Sequence, residues 1–319
     1  MALTLEEYAT WLDGRELLWP SLPEVVKAKA KPHLKRLNKV RAVTWSIYGT
    51  LLAVPGGTLW FKHPDSFVMT IALDKTVQEF KMWQAMSRKT GTPSEQLLGL
   101  YDRLLEREEL RGTGEFREAP AVRSDQIWTG IVKRLQENEY RFDAGFYGPP
   151  SELGEKIAYF FHSNLQATAA YPNSLKALER IKARGCLQLL FDDAQSFTSV
   201  QLLRGLRRQG KLSSLSDLFD VETSLLSCQA GIRKPARRLY REILNRLRSK
   251  GLYPDQILHV SSRLQTDLLV AKQLGMQTAL FAGDKASLSA SARQLQDEGT
   301  RPDILVLDLS QVADVVEKS

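Results

Sequence analysis

The sequence predicts an α/β protein, a parallel sheet with its helices, interrupted just after the first strand by an all-α insertion and preceded by a helical extension. Three observations predict it. From Ser174 onward, short apolar runs alternate with amphipathic helical stretches, as they do where βαβ units build a parallel sheet. One further apolar run, Arg41 to Ile47, stands far upstream and stops at Tyr48-Gly49-Thr50, as a buried strand stops at a turn. Between the two, helical periodicity runs on with almost no strand candidate. At 319 residues the chain is long enough for two domains, or for one domain with a large insertion.

Taken in order, residues 1–40 read as a helical extension, opened by Thr4 with Glu7 three positions on, a capping-box pattern, and continuing through Trp11, Leu17 and Trp19. Residues 41–58 hold the first strand and its turn. The insertion, 59–167, carries amphipathic stretches at 76–89, 93–109 and 124–136, with Trp60, Trp83 and Trp128 expected in its core or at its seam. Residues 168–319 return to the sheet. Their strands are expected at 186–191, 257–260, 278–281 and 304–307, with helices at 175–184, 199–209, 237–248 and 267–274.

Composition narrows the function. With 43% hydrophobic and 25% charged residues the chain is an ordinary folded, soluble protein, which excludes disorder and disulfide-stapled miniproteins. The net charge of +7 can be carried by one segment, Lys27 to Arg41, which holds seven basic residues and no acid. A solvated helix face is the expected role; a nucleic-acid or acidic-partner contact is the alternative, and neither interleaved aromatics nor an unbroken run support it, because Pro32 divides the segment. Two cysteines, Cys186 and Cys228, point to a reducing compartment and hence the cytoplasm. No signal peptide or membrane span is expected. Histidines at 33, 63, 162 and 259 are too scattered for a metal site.

In an open α/β sheet ligands sit at the carboxyl ends of strands, so the residues just after each expected strand are the candidates. They are Ser46 to Thr50, Asp192 to Gln195, Gly231 to Pro235 and Ser261 to Asp267. In this order and strand context the blocks resemble the motifs of the haloacid dehalogenase-like (HAD) hydrolase superfamily. The first resembles its Asp-x-(Asp/Tyr)-Gly-Thr-Leu motif, the third its lysine motif and the fourth its Gly-Asp-x-x-x-x-Asp motif. The resemblance spans most of residues 41–309 and implies a Rossmann-like core with an inserted C1-type cap.

The departures bear on chemistry. The resemblance implies an aspartyl nucleophile and Mg²⁺, yet Ser46 stands at the nucleophile's position and Ser262 at that of a metal-binding acid, leaving Asp267. Asp192 replaces a hydroxyl expected to bind phosphate, and a carboxylate there repels an anion unless a cation compensates. Lys234 is retained and is expected to pair with Asp192 or Asp193. Tyr48 and the Ser261-Ser262 pair echo the metal-free 2-haloacid dehalogenases, although Arg263 stands where those carry asparagine.

The expectation is therefore a HAD-like protein that is catalytically impaired, a pseudoenzyme acting as a binding or regulatory protein. The alternative is an active hydrolase, phosphatase-like before dehalogenase-like, using Ser46, Tyr48, Asp192, Asp193, Lys234 and Asp267. Gly49, Thr50, Asp193 and Arg233 are the candidate binding residues, and Asp267 with Ser262 the remnant metal pair. No cofactor is expected except Mg²⁺ if activity remains. The expected partner is a small anionic ligand in the cleft between core and cap, not nucleic acid or a membrane.

Overall fold

The computed structural model describes residues 1–86, 91–111 and 119–317. The chain forms two compact units, one of residues 1–22, 60–167 and 195–200, the other of residues 23–59, 168–194 and 201–319.

The first unit is helical. Its helices are α1 (Leu5–Asp13), α2 (Ser66–Glu79), α3 (Pro93–Leu110), α4 (Ser124–Gln136), α5 (Ala144–Tyr147) and α6 (Pro150–Leu165). The capping box is present at α1, where Thr4 Oγ1 accepts from Glu7 N and the Glu7 carboxylate accepts from Thr4 N. A second box, of Thr92 with Glu95, opens α3. Helix α2 begins ten residues before the expected 76–89 stretch, because Asp65 caps it by accepting from Phe67 N, and it ends before Lys81, whose φ of 53° is left-handed. Residues 87–89 of that expected helix lie outside the described residues. Trp128 is buried with Tyr101 and Phe161 as expected, and Trp60 lies edge-on to His63. Trp83, by contrast, is 45% exposed.

The second unit is the α/β one. Its six-stranded parallel sheet has the order β5-β4-β1-β6-β7-β8, from β1 (Ala42–Trp45), β4 (Leu187–Asp192), β5 (Leu225–Leu226), β6 (Ile257–Ser261), β7 (Gln277–Phe281) and β8 (Ile304–Val306). Strands buried on both faces need continuous apolar runs, and β1, β6 and β8 are buried at every position. Two two-residue strands, β2 (Leu52–Ala53) and β3 (Ala169–Ala170), pair antiparallel where the chain leaves and re-enters this unit. They, and β5, were not expected: runs of two residues carry no periodicity. Helices α7 (Ser174–Ala183), α8 (Thr198–Arg207), α9 (Ser227–Ala230), α10 (Arg237–Arg248), α11 (Leu269–Gln273), α12 (Ala292–Gln296) and α13 (Ser310–Val315) complete the chain. Helix α10 buries Leu239, Tyr240, Ile243 and Leu247, the helical spacing of one apolar stripe, and turns its arginines outward.

Residues 1–40 are not a helical extension. After α1 the chain is irregular or extended, and its second part runs along the sheet as a strap: His33 and Leu305 of β8 exchange both backbone hydrogen bonds at 2.9 Å, and Leu37 N donates to Val315 O at 2.8 Å. Pro20, Pro23 and Pro32 exclude a continuous helix. Lys27-Ala28-Lys29-Ala30-Lys31 also repeats every two residues, which is a strand's period and not a helix's.

Candidate functional site

β1 is the pivot of the sheet, with β4 on one side and β6 on the other, so the residues leaving these three strands converge. Ser46 follows β1, Asp192 ends β4, Ser261 ends β6, and Lys234 comes from the loop between α9 and α10. All are buried, as is Asp267.

The turn after β1 is tight. Thr50, Leu51 and Leu52 N all donate to Ile47 O, and Gly49 N donates to Leu52 O. Gly49 has φ +76°, and a Cβ there would lie 2.7 Å from Gly57 O and 2.9 Å from Ser262 Oγ, so only glycine fits. The turn aims two amides at one carboxylate: Asp192 Oδ2 accepts from Ile47 N at 2.7 Å and Tyr48 N at 3.0 Å. Thr50 Oγ1 accepts from Ser262 N at 3.1 Å, tying the first block to the fourth.

Lys234 is at the centre. Its Nζ donates to Asp267 Oδ2 (2.7 Å), Ser46 Oγ (2.9 Å) and Phe191 O (3.0 Å), with Asp192 Oδ1 at 3.4 Å. An ammonium has three N–H bonds, and three near acceptors use them all. The sequence expectation paired Lys234 with Asp192 or Asp193; its shortest contact is instead to Asp267, and Asp193 meets it only through the backbone, Asp193 Oδ1 accepting from Lys234 N at 2.9 Å.

A second cation enters that the sequence reading passed over. Arg263 Nη2 donates to Asp192 Oδ1 and, at 3.2 Å, to Asp267 Oδ2, while its Nε donates to Asp267 Oδ1 at 3.2 Å. The guanidinium therefore bridges the two buried carboxylates, whose own charges require compensation in a dry site. Burial acts against the Arg263 charge, but Asp192 and Asp267 outweigh it and hold the group protonated well beyond its ordinary range. Burial likewise pushes Asp267 up, and Arg263 and Lys234 outweigh that, holding its carboxyl well below the usual carboxylate range. Asp193 is different. Burial, reinforced by Asp192, raises its carboxyl to about 6 against the pull of Lys234 and Arg263.

The hydroxyls complete the cluster. Ser46 Oγ donates to Asp267 Oδ2 at 2.9 Å and accepts from Lys234; Ser261 Oγ donates to the same carboxylate oxygen at 2.8 Å. Ser262, expected beside Asp267, is not its partner, and its Oγ is buried without a hydrogen-bond partner among the described residues. Tyr48 is a core residue whose Oη donates to Gln201 Oε1 at 2.7 Å. Arg233 is exposed and stands outside the cluster. His259, in β6, is pushed down to about 3 by burial and then by Lys234, so it is neutral. Its Nδ1 faces Thr44 O and Oγ1, and its Nε2 lies 3.5 Å from Lys234 Nζ, consistent with Nδ1–H as donor.

Known proteins resemble this chain in sequence and in fold. A HAD-hydrolase-like family model matches residues 231–312, the stretch that holds Lys234 and the Ser261 to Asp267 block. A 2-haloacid dehalogenase from Pseudomonas syringae pv. tomato DC3000 superposes with a TM-score of 0.52 at 20% identity, over 86% of this chain and 97% of that one. The fold is that of the HAD-like superfamily. A HAD phosphatase from Thermococcus onnurineus gives a TM-score of 0.46 at 16% identity, over 88% of this chain and 100% of that one. In sequence, a glyceraldehyde 3-phosphate phosphatase from Pyrococcus furiosus is 25% identical over 173 residues, 54% of this chain. The match spans 64% of that phosphatase's own length.

The magnesium that a HAD-like phosphatase implies does not fit these side chains. Mg²⁺ takes hard oxygen ligands at about 2.0–2.1 Å in octahedral array. Here the facing oxygens of Asp192 and Asp267 are taken by Arg263 and Lys234, Ser46 offers a neutral hydroxyl, and Ser262 points its oxygen elsewhere than Asp267. Among the described residues no group of three or more His, Cys, Asp or Glu is gathered as a metal site, and no helix is long and apolar enough to cross a membrane.

Proposed function

We propose that this HAD-like chain is a hydrolase-family protein whose reaction site has been closed from within, and that it acts as a binding or regulatory protein. The observation that carries this reading is Arg263 bridging Asp192 and Asp267 while Lys234 fills the remaining space between them. A nucleophilic serine needs a base. The Ser46 proton faces Asp267, whose depressed pKa makes it a poor proton acceptor, and Lys234 donates to three oxygens, so neither neighbour can deprotonate it. Hydrolysis through Mg²⁺ would require at once a carboxylate at position 46 and a carboxylate pair free of arginine.

A second reading is favoured by one residue. Asp193, with its carboxyl near 6, is the acid of the cluster closest to the range of a general base, so an altered hydrolase would use it with Lys234 and the Ser46 hydroxyl. The substrate class would be a phosphate monoester, by analogy with the Pyrococcus phosphatase.

One assay separates them. Turnover of an aryl phosphate is followed with and without Mg²⁺ for the natural protein, Lys234→Ala, Asp193→Asn, and Ser46→Asp/Ser262→Asp with and without Arg263→Asn. The closed-site reading expects a silent natural protein and Mg²⁺-dependent turnover only when Arg263 is also removed. Turnover by the natural protein, lost in Lys234→Ala and Asp193→Asn, refutes it and establishes the altered hydrolase.

A further inference from the structure

The basic segment that the sequence sets apart lies beside a groove in the α/β unit that none of the residues of the four motif blocks lines. The groove encloses about 620 Å³, within the range of small-molecule sites. Its apolar surface comes from Leu288, Leu295, Leu305 and the alanines between them, and its basic lining residues are Lys29, Lys31, Arg301 and His33. No Asp or Glu lines it. Arg301 makes one ion pair, with Glu298 at 3.2 Å, but Glu298 is 86% exposed and such a surface pair contributes little.

The cations are held in place and do not sit on a loose tail. The strap is fastened by the paired His33 and Leu305 backbone bonds and by Lys285 N donating to Val26 O at 2.7 Å. Its period of two sets Lys27, Lys29 and Lys31 outward, while Ala28 and Ala30 are half-buried and Ala30 packs on the cluster containing Leu288 and Leu295. One side of the groove thus offers positive charge carried on a fastened backbone and the other an apolar floor.

We propose that this groove binds a single-chain anionic amphiphile, an alkyl chain ending in a carboxylate or phosphate. The chain would lie on Leu288, Leu295 and Leu305, and the head would meet Lys29, Lys31 and Arg301. Apolar area without charge would not account for three cations and no acid. Charge without apolar area would suit nucleic acid, but no Phe, Tyr or Trp lines the groove as a stacking platform, and His33 is its single aromatic ring. The proposal stands independently of the hydrolase reading, since it uses none of the same residues.

The test is calorimetric titration of the full chain with dodecyl phosphate below its critical micelle concentration, alongside inorganic phosphate, anionic vesicles and a single-stranded oligonucleotide. Saturable binding of one molecule per chain is expected, weakened at least tenfold in Lys29→Glu/Lys31→Glu and, separately, in Leu295→Gln. Inorganic phosphate at equal concentration is expected not to compete, and urea midpoints report that both variants remain folded. Leu295 is only half-buried and the lysines are exposed, so folding is preserved in each. Unsaturable uptake, affinity unmoved in both variants, competition by phosphate alone, or binding of vesicles or oligonucleotide without binding of dodecyl phosphate each overturns the proposal.

Discussion

Each unit buries a knot of polar side chains, and the two knots are made of different chemistry. In the α/β unit Lys234 and Arg263 face Asp192 and Asp267, formal charges taken out of water except for a 12% exposed edge of the Arg263 side chain. In the helical unit Ser124 Oγ meets His162 Nε2 at 2.8 Å, Ser124 N donates to Gln195 Oε1 at 2.8 Å, and Gln195 Nε2 donates to Val122 O at 2.9 Å, with no ionised group. Burial pushes His162 down to about 3, so it too is neutral. A neutral knot tolerates the loss of one member at the cost of a hydrogen bond. A charged one does not, since each partner removed strands another charge.

The largest effect is expected where that asymmetry is greatest. Lys234→Met leaves Asp192 and Asp267 with Arg263 alone and is expected to destabilise the chain by about 3–5 kcal/mol, read by urea denaturation. Adding Asp267→Asn to the same chain restores the charge balance, so the double variant is expected to be more stable than the sum of the two single losses. Simple additivity would show that the cluster is not coupled, and the contrast between the two knots would fail.

Acid sharpens the comparison next. A histidine held at about 3 in the fold, against 6.5 when free, binds its proton in the unfolded chain first, so stability is complete above pH 6.5 and falls as pH drops toward 3. The slope is about 1.4 kcal/mol per pH unit for each of His162 and His259. Asp193 acts with the opposite sign: raised from 3.8 to about 6, its contribution is present below its free value and lost as pH rises through about 6. Between pH 4 and 6 the two histidines outweigh Asp193, so these three groups together make stability rise with pH, less steeply for the part that Glu155, also raised by burial, takes back, as urea titrations would read. His259→Gln is expected to flatten this slope and Asp193→Asn to steepen it; an unchanged slope in both would mean that neither group titrates as its surroundings dictate.

How much of this was legible beforehand follows from the same physics. The long buried strands β1, β4, β6, β7 and β8 announce themselves as apolar runs, and the four blocks at their ends fall where an open sheet gathers ligand-facing groups, so Ser46, Asp192, Lys234 and Asp267 were found together. Arg263 was read only as a missing asparagine. Charge counting would have found it, because two carboxylates in a dry cluster require more than one lysine, and Arg263 lies four residues before Asp267, one turn away on a helical segment. The helical reading of residues 1–40 failed because a capping box at Thr4 governs one helix start and says nothing about the prolines beyond. Ser261 and Ser262 are adjacent, and only the strand's alternation decides which of them reaches Asp267.

The smallest expected effect probes the neutral knot. Ser124→Ala removes the hydroxyl opposite His162 Nε2 while the Ser124 amide keeps its bond to Gln195, so the loss is one neutral hydrogen bond, about 1 kcal/mol. Placed in the same urea series, this loss should be several-fold below that of Lys234→Met. The pH slope should survive it, because His162 is held neutral chiefly by burial and not by the serine. Should Ser124→Ala instead cost as much as Lys234→Met, the helical unit's knot would have to carry a charge, and His162 would be the group that carries it.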